Sequence, residues 1–306
     1  MAPTTRAHLQ IHFCVLLWGF TAILGKLITL PALPLVWWRM WLVVAAVLLL
    51  PPAWRALRTL SPRLLGAYAL VGALVALHWL TFYGAIKLAN ASVAVTCMAL
   101  GPIFLALVEP WFIRAKRFDW RELALGLAMV PGVALVVGGV PARMHMGIAV
   151  GVLSTLFCAM FGALNKRLAG RHDPLLVTGI ELGAGALTLT VLAPVLALLW
   201  PGQAGTLWVL PTAVDFGWLL LLALACTLLP FALSLVALKH ISAYSAQLAV
   251  NLEPVYAIVF AAVLLNEQRE LDMQFYLGVA IVLAAVLVWP WWSRRRSAVS
   301  PAVPAA

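Results

Sequence analysis

Polar and ionisable side chains lie inside several long apolar stretches of this sequence. A charge at the centre of a bilayer costs roughly 2.5–3.5 kcal/mol even on a lenient scale, so each such residue needs a compensating role. Carboxylates and imidazoles can hold protons in such places, and a guanidinium can bind a carboxylate. Six residues of this kind stand out: Arg39, His78, Glu181, Gln247, Asn251 and Glu253.

Glu253 is the strongest candidate for a binding or proton site. It lies near the middle of an apolar segment, too deep for its side chain to reach the headgroups, and Pro254 follows it. The proline removes a backbone donor and displaces the carbonyl of Val250, which leaves a free acceptor beside the carboxyl group. A broken helix of this kind indicates a substrate or proton site. The alternative is a protonated Glu253 that hydrogen-bonds a neighbouring helix.

Two further polar residues share a helix face with Pro254. Gln247, Asn251 and Pro254 are spaced i, i+4 and i+7, which predicts a polar stripe along one side of the segment. The stripe either faces a cavity or pins helices together, the latter worth about 0.6 kcal/mol for each hydrogen bond. Pro102 and Pro254 are both predicted to kink their helices.

Three of the six positions remain, and Arg39 and His78 each have two interpretations. Arg39 either binds a substrate carboxylate or stabilises a neighbouring helix end. Glu181 occupies a similar place in the second half of the chain, nearer the opposite membrane face, so both are treated as intramembrane charge sites. His78 lies in mid-segment and either carries protons or acts as a neutral hydrogen-bond partner between helices.

The segments that hold these residues are long enough to cross a bilayer. The 306 residues are 65% hydrophobic and only 10% charged, which excludes a soluble domain and leaves no room for an ATP-binding motor. Apolar runs of about 20 residues predict membrane-spanning helices. We predict an all-α membrane protein with ten transmembrane helices: 9–28, 34–50, 64–86, 91–112, 121–139, 146–168, 174–199, 217–238, 243–265 and 273–292.

The 20 Lys and Arg residues fall mostly in the loops on one side of these ten segments. Because positive charges concentrate on the cytoplasmic side, both termini are predicted to be cytoplasmic. The basic loops would then contact anionic lipid headgroups, which explains the net charge of +10 without a nucleic-acid partner.

The sequence contains an internal repeat. The stretch from Lys87 to Pro102 resembles the stretch from Lys239 to Pro254, with Lys matched to Lys and Pro to Pro. A membrane unit with five spans lies in opposite orientations in its two copies, which is the architecture of an alternating-access carrier. We therefore divide the chain into residues 1–139, residues 146–292 and a basic cytoplasmic tail of residues 293–306.

Several short motifs accompany the repeat. They are Trp18-Gly19, Gly101-Pro102, Glu253-Pro254, and Asn266-Glu267 followed by Gly278. Together with the ten segments, these motifs resemble the pattern of the EamA-type transporters of the drug/metabolite transporter superfamily. One departure is that Ala115 stands where the second copy has Glu267.

The resemblance implies two inverted five-helix repeats around a central cavity. Its walls would come mainly from spans one, three, four, six, eight and nine, with spans five and ten at the periphery. Such proteins move small metabolites, often amino acids or their derivatives, outward across the bacterial inner membrane. The expected substrate contacts are Trp18, His78, Trp79, Tyr83, Gln247, Asn251 and Glu253, with Glu253 and His78 as candidates for proton coupling.

No enzyme signature accompanies these features. The sequence has no phosphate-binding loop, no HExxH and no nucleophile elbow, and its four cysteines show no metal-ligand spacing. We expect a non-enzymatic exporter without a cofactor or metal, whose partners are a small-molecule substrate, a coupling proton and membrane lipids. The alternative is a lipid-carrier or lipid-sugar flippase of the same superfamily, and the oligomeric state is left open.

Overall fold

The structure is a computed structural model that describes residues 2–50, 60–113, 118–199, 205–250, 252–266, 272–281 and 283–284. The predicted tail, residues 293–306, lies outside the described residues. Within this part of the chain the regular structure is helical throughout. The helices are α1 (Pro3–Leu27), α2 (Ala32–Leu48), α3 (Pro62–Leu88), α4 (Ala91–Phe112), α5 (Trp120–Gly138), α6 (His145–Leu168), α7 (Pro174–Leu199), α8 (Ala213–Ala237), α9 (Ala243–Leu265) and α10 (273–281).

Seven of these helices are long and apolar enough to cross a membrane. The helix α2 is a shorter apolar helix, α5 contains another over Gly126–Val136, and α10 is described only in part. The chain is therefore an all-helical, multi-pass membrane protein, while the count of ten spans remains a prediction. The helix α1 begins several residues before its predicted start at residue 9, because Pro3 can occupy a first helical turn.

The outer surface of the bundle is apolar, as lipid requires. Large apolar side chains along α7 have no protein neighbour to cover them: Leu187 is 57% exposed, Val191 75% and Leu198 80%. In water such a patch would favour aggregation, whereas in a bilayer it contacts acyl chains. Several polar residues, among them Arg39, Asn90 and Glu181, are by contrast buried inside the bundle.

Three long helices are interrupted immediately before a proline. A 3-10 turn, Met98–Leu100, precedes Gly101-Pro102 in α4. The helix α9 consists of Ala243–Val250 and Glu253–Leu265, so its break lies directly before Pro254. In α8 a π turn, Leu224–Leu228, precedes Pro230. The common cause is the missing proline N–H, which leaves the regular hydrogen-bond ladder incomplete.

The two halves of the chain pack against each other along their lengths. The helix α3 lies against α6 and α7, and α1 lies against α8 and α9. At one close approach the backbone of Gly72 in α3 meets the backbone carbonyl of Glu181 in α7, and a Cβ at Gly72 would collide with that oxygen. Glycine is therefore needed at this position for α3 and α7 to approach each other.

Two groups of contacts mark the two ends of the bundle. At the end that we call the basic end, Lys166 donates hydrogen bonds of 2.7 Å to the carbonyls of Leu238 and Ile241. At the opposite end, Lys87 donates to the carbonyl of Ile28 at 2.5 Å. Each lysine thereby satisfies carbonyls at the end of a neighbouring helix, which otherwise lack a partner.

Candidate functional site

A cavity lies between the two halves in the middle of the bundle. The space between its walls is about 960 Å³ with the open mouth included, and the centres of water-sized molecules fit in about 120 Å³ of it. One water needs on the order of 10–15 Å³ by the latter measure, so the cavity has room for a small organic molecule. Its walls come from α1, α3, α4, α6, α8 and α9, the six helices implied by the resemblance, and from Arg39 of α2.

Arg39 lies in the cavity wall and is only 2% exposed. Its Nε donates to the hydroxyl of Thr227 at 2.6 Å, and its Nη1 donates to the hydroxyl of Tyr83 at 2.9 Å. The guanidinium carbon lies 3.8 Å from the centre of the Trp79 ring. These contacts hold the guanidinium in one orientation at the cavity wall.

The π turn in α8 explains why Thr227 can reach Arg39. Thr227 donates its hydroxyl proton to the carbonyl of Leu222, five residues earlier, at 2.6 Å. Its oxygen then accepts from Arg39, so one hydroxyl serves both partners. A π turn inside an α-helix is rare and often occurs at functional sites.

Glu253 lies in the wall of the same cavity and is 6% exposed. It starts the second part of α9, where the first backbone N–H groups of a helix favour a negative charge. Arg39 lies in the wall of the same cavity. The cavity therefore holds a basic and an acidic side chain, although they come from α2 and α9, far apart in the sequence.

His78 lines the cavity and also joins α3 to α6. Its Nδ1 lies 3.0 Å from the carbonyl oxygen of Ser154, to which it donates, and the Ser154 hydroxyl donates to the carbonyl of His78 at 2.8 Å. The ring also packs beside Phe161, with 5.4 Å between the ring centres. The structure thus places His78 in a helix–helix contact at the cavity wall.

The other predicted contacts fall into two groups. Trp18, Trp79 and Gln247 line the cavity, and the side chain of Gln247 packs against the backbone of Gly101 in α4. Tyr83 is fully buried behind Arg39 and is not among the residues that line the cavity, so the substrate contact predicted for it stays a prediction. Its hydroxyl is occupied by Arg39, which makes it a support for the guanidinium. Three other predicted positions, Asn251, Ala115 and Glu267, lie outside the described residues.

Glu181 is separate from this cavity. It is fully buried in α7, and its Oε2 accepts a hydrogen bond of 3.5 Å from the side-chain amide of Asn165 in α6. Asn165 itself lines the cavity. The two predicted intramembrane charges therefore lie in different places, with Arg39 in the cavity and Glu181 behind its wall.

Several residues of the site were missed by the sequence analysis. Thr227 and Ser154 are small hydroxyl residues that look like helix-packing residues in an apolar segment. Asn165 precedes Lys166 and Arg167, and this basic sequence is typical of a solvated helix end. The signal that could have found Thr227 is Pro230, three residues later, because a proline in mid-segment disturbs the ladder that precedes it.

The cavity extends toward the basic end of the bundle. Its walls include Leu238, which accepts from Lys166, and Ala243 at the start of α9. At the opposite end the side chain of Asp215 accepts from both the backbone N–H and the hydroxyl of Thr29, at 2.8 and 2.7 Å. That contact ties the beginning of α8 to the end of α1 and closes the bundle on that side.

The comparisons with known proteins identify the class of this chain. The profile of the EamA-like transporter family matches residues 5–138 and, a second time, residues 145–290. The chain therefore belongs to the EamA-like transporter family and contains two EamA repeats, which confirms the resemblance found in the sequence. It is a membrane transporter of the drug/metabolite transporter superfamily.

A solved structure supports the fold independently. A chain described as "Crystal structure of protein" is 17% identical to this one, with a TM-score of 0.66 over 95% of this chain and 98% of that chain. At this identity the likeness shows the fold alone. No curated protein matches the chain.

Proposed function

We propose that the protein is a secondary transporter that exports small organic metabolites, amino acids or related compounds, across the bacterial inner membrane by alternating access. The observation that carries the proposal is that Arg39 and Glu253 both line one cavity between the two repeats. A transporter needs such a buried site, and membrane charges without a function are rare because of their cost.

The chemistry of the cavity fits a zwitterion. The guanidinium of Arg39 would bind a carboxylate, and the carboxylate of Glu253 would bind an ammonium group or a coupling proton. Trp18, Trp79 and Phe231 provide apolar and aromatic wall on which the rest of a substrate could pack. The two charged groups of an amino acid would thus each meet a side chain of complementary chemistry.

The proposed topology has ten spans, with the two repeats in opposite orientations and both termini in the cytoplasm. The contacts at the helix ends support the inversion. The helix α1 ends where α8 begins, at Thr29 and Asp215, while α6, its counterpart, ends where α8 ends, at Lys166 and Leu238. The helices α1 and α6 consequently run in opposite directions, and the abundance of Lys and Arg assigns the basic end to the cytoplasm.

In this reading the described conformation faces the cytoplasm. The cavity reaches the basic end, and the opposite end is closed by the contact of Lys87 with Ile28 and of Asp215 with Thr29. Rocking of one repeat against the other would exchange these conformations. The helices α3 and α4 would move at one gate, and α8 and α9 at the other.

Counterflow in proteoliposomes tests the proposal. Vesicles loaded with an unlabelled amino acid should transiently concentrate the same labelled amino acid, because a carrier exchanges one molecule for another. A panel of amino acids and their derivatives should contain at least one such substrate. Movement of lipid-linked sugar alone, with no counterflow from the panel, would replace the proposal with the flippase alternative.

A further inference from the structure

Glu181 forms a second polar site that the cavity does not use. Its carboxyl group is fully buried in α7, and its Oε1 has no hydrogen-bond partner among the described residues. Its Oε2 accepts from Nδ2 of Asn165. An unpaired carboxylate in hydrocarbon is costly, whereas a carboxylic acid can donate its proton to a neighbouring oxygen.

The side-chain carbonyl oxygen of Asn165 can accept such a proton. This Oδ1 atom is buried and also lacks a partner in the described structure. Asn165 can therefore meet Glu181 in two ways: its amide N–H donates to the carboxylate, or its carbonyl oxygen accepts from the protonated acid. The two arrangements differ by one proton on Glu181 and by a rotation of the Asn165 amide.

Asn165 also connects two cavities. It lines the central cavity and a second, smaller pocket at the basic end, which Tyr68, His172 and Lys239 line as well. The smaller pocket has room for the centres of water-sized molecules in about 10 Å³, which is enough for roughly one water. Tyr68 and His172 are hydrogen-bonded to each other at 3.0 Å.

The ionisable groups around Glu181 lie on the side of the basic end. Tyr68, on the same face of α3 as Gly72, interacts electrostatically with Glu181 and with Arg171. His172 and Lys239 come from the loop after α6 and from the end of α8. The helix α2 places Val44 and Val47 against neighbouring glycines of α7. The polar groups could pass protons from the basic end to Glu181.

We propose that Glu181 is a proton-binding site of this transporter, reached from the basic end through Tyr68 and His172 and coupled to the central cavity through Asn165. The inference rests on the proposed function and deepens it. In this proposal Arg39 and Glu253 bind the substrate in the central cavity, and Glu181 binds the proton behind the cavity wall. Protonation of Glu181 turns the Asn165 amide and so changes a polar group at the cavity surface.

Proteoliposomes that contain a pH-sensitive dye, with labelled amino acid as the transported probe, test the inference. In vesicles with the wild type, transport of a substrate that shows counterflow should be accompanied by proton movement. A pH gradient should also drive accumulation of that substrate. Glu181→Gln should lose both proton movement and accumulation and keep counterflow, because the substrate site is intact. Thr178→Val, a buried change on the same helix, is the matched control and should behave as wild type.

The outcomes separate the two proposals. Counterflow without any proton movement in the wild type overturns the role of Glu181 and keeps the carrier. Full coupling in Glu181→Gln also overturns it. If Glu181→Gln does not fold, as judged by its elution from a sizing column in detergent, Tyr68→Phe decides: slowed proton entry with unchanged counterflow supports the path, and unchanged proton entry overturns it. Absence of counterflow in the wild type defeats the carrier and, with it, the inference.

Discussion

The guanidinium of Arg39 lies over the face of Trp79, with 3.8 Å between the guanidinium carbon and the ring centre. Hydrogen bonds to Thr227 and Tyr83 fix it there. A lysine at this position would offer a compact ammonium group that cannot stack on the ring and reach both hydroxyls. The arrangement therefore depends on arginine and not on positive charge alone.

We expect Arg39→Lys to weaken transport by about tenfold or more, since a cation–π contact in a desolvated site is worth about 2 kcal/mol. Concentration-dependent uptake in vesicles measures the effect. Arg121→Lys is a matched control, because Arg121 also lies beside a tryptophan, Trp120, but on the exposed surface. Equal transport by the two variants would show that Arg39 is not a substrate contact.

The contact between α3 and α7 gives a prediction about stability. Gly72→Ala should lower the free energy of unfolding by about 1–3 kcal/mol, because the added methyl group collides with the carbonyl oxygen of Glu181. Gly66, on the same helix, has no atom within 4 Å of an added Cβ. Gly66→Ala should therefore be neutral or stabilising by about 0.5–1 kcal/mol. Thermal unfolding in detergent distinguishes them, and indistinguishable midpoints would refute the packing argument.

Cys158 is a natural reporter of cavity access. All four cysteines are free and buried, but Cys158 is the one that lines the cavity, unlike Cys14, Cys97 and Cys226. A small membrane-impermeant thiol reagent should modify Cys158 faster from the cytoplasmic side, toward which the cavity extends, and saturating substrate should slow the reaction. Mass spectrometry of inside-out and right-side-out vesicles measures the modification. Cys158→Ala provides the background, and faster reaction from the outside would reverse the assigned orientation.

The ten-span topology can be mapped with introduced cysteines. Cysteines at Arg58 and Arg117 should react with an impermeant reagent only from the cytoplasm, and a cysteine at Arg143 only from outside. The reason is the predicted alternation of loops across the membrane. Labelling of all three positions from one side would refute the model of ten spans with inverted repeats.

The sequence predicted the helices well because lipid imposes a strict length and composition on each of them. The segments predicted at 91–112, 174–199 and 243–265 coincide with α4, α7 and α9. The break before Pro254 was also predictable, since the effect of proline on a helix is local.

The geometry of the site could not be predicted in the same way. Arg39 and Glu253 were each identified as unusual, but only the packing of α2 and α9 around one cavity brings them together. Tyr83 was predicted as a substrate contact, and its hydrogen bond with Arg39 was not foreseen. Helix periodicity shows which residues share a face and not what that face meets. Tertiary contacts such as the one between Arg39 and Thr227 therefore remain hidden in the sequence.

The central claim is that a substrate binds at the carboxylate of Glu253 in a cavity between two repeats. Uptake and efflux of a metabolite panel, with the wild type and with Glu253→Gln, test it most directly, because the amide keeps the size of the side chain and cannot ionise. The account predicts that the wild type moves at least one amino acid or relative and that the variant loses this transport. Transport like that of the wild type by Glu253→Gln, over a range of pH, would contradict the account.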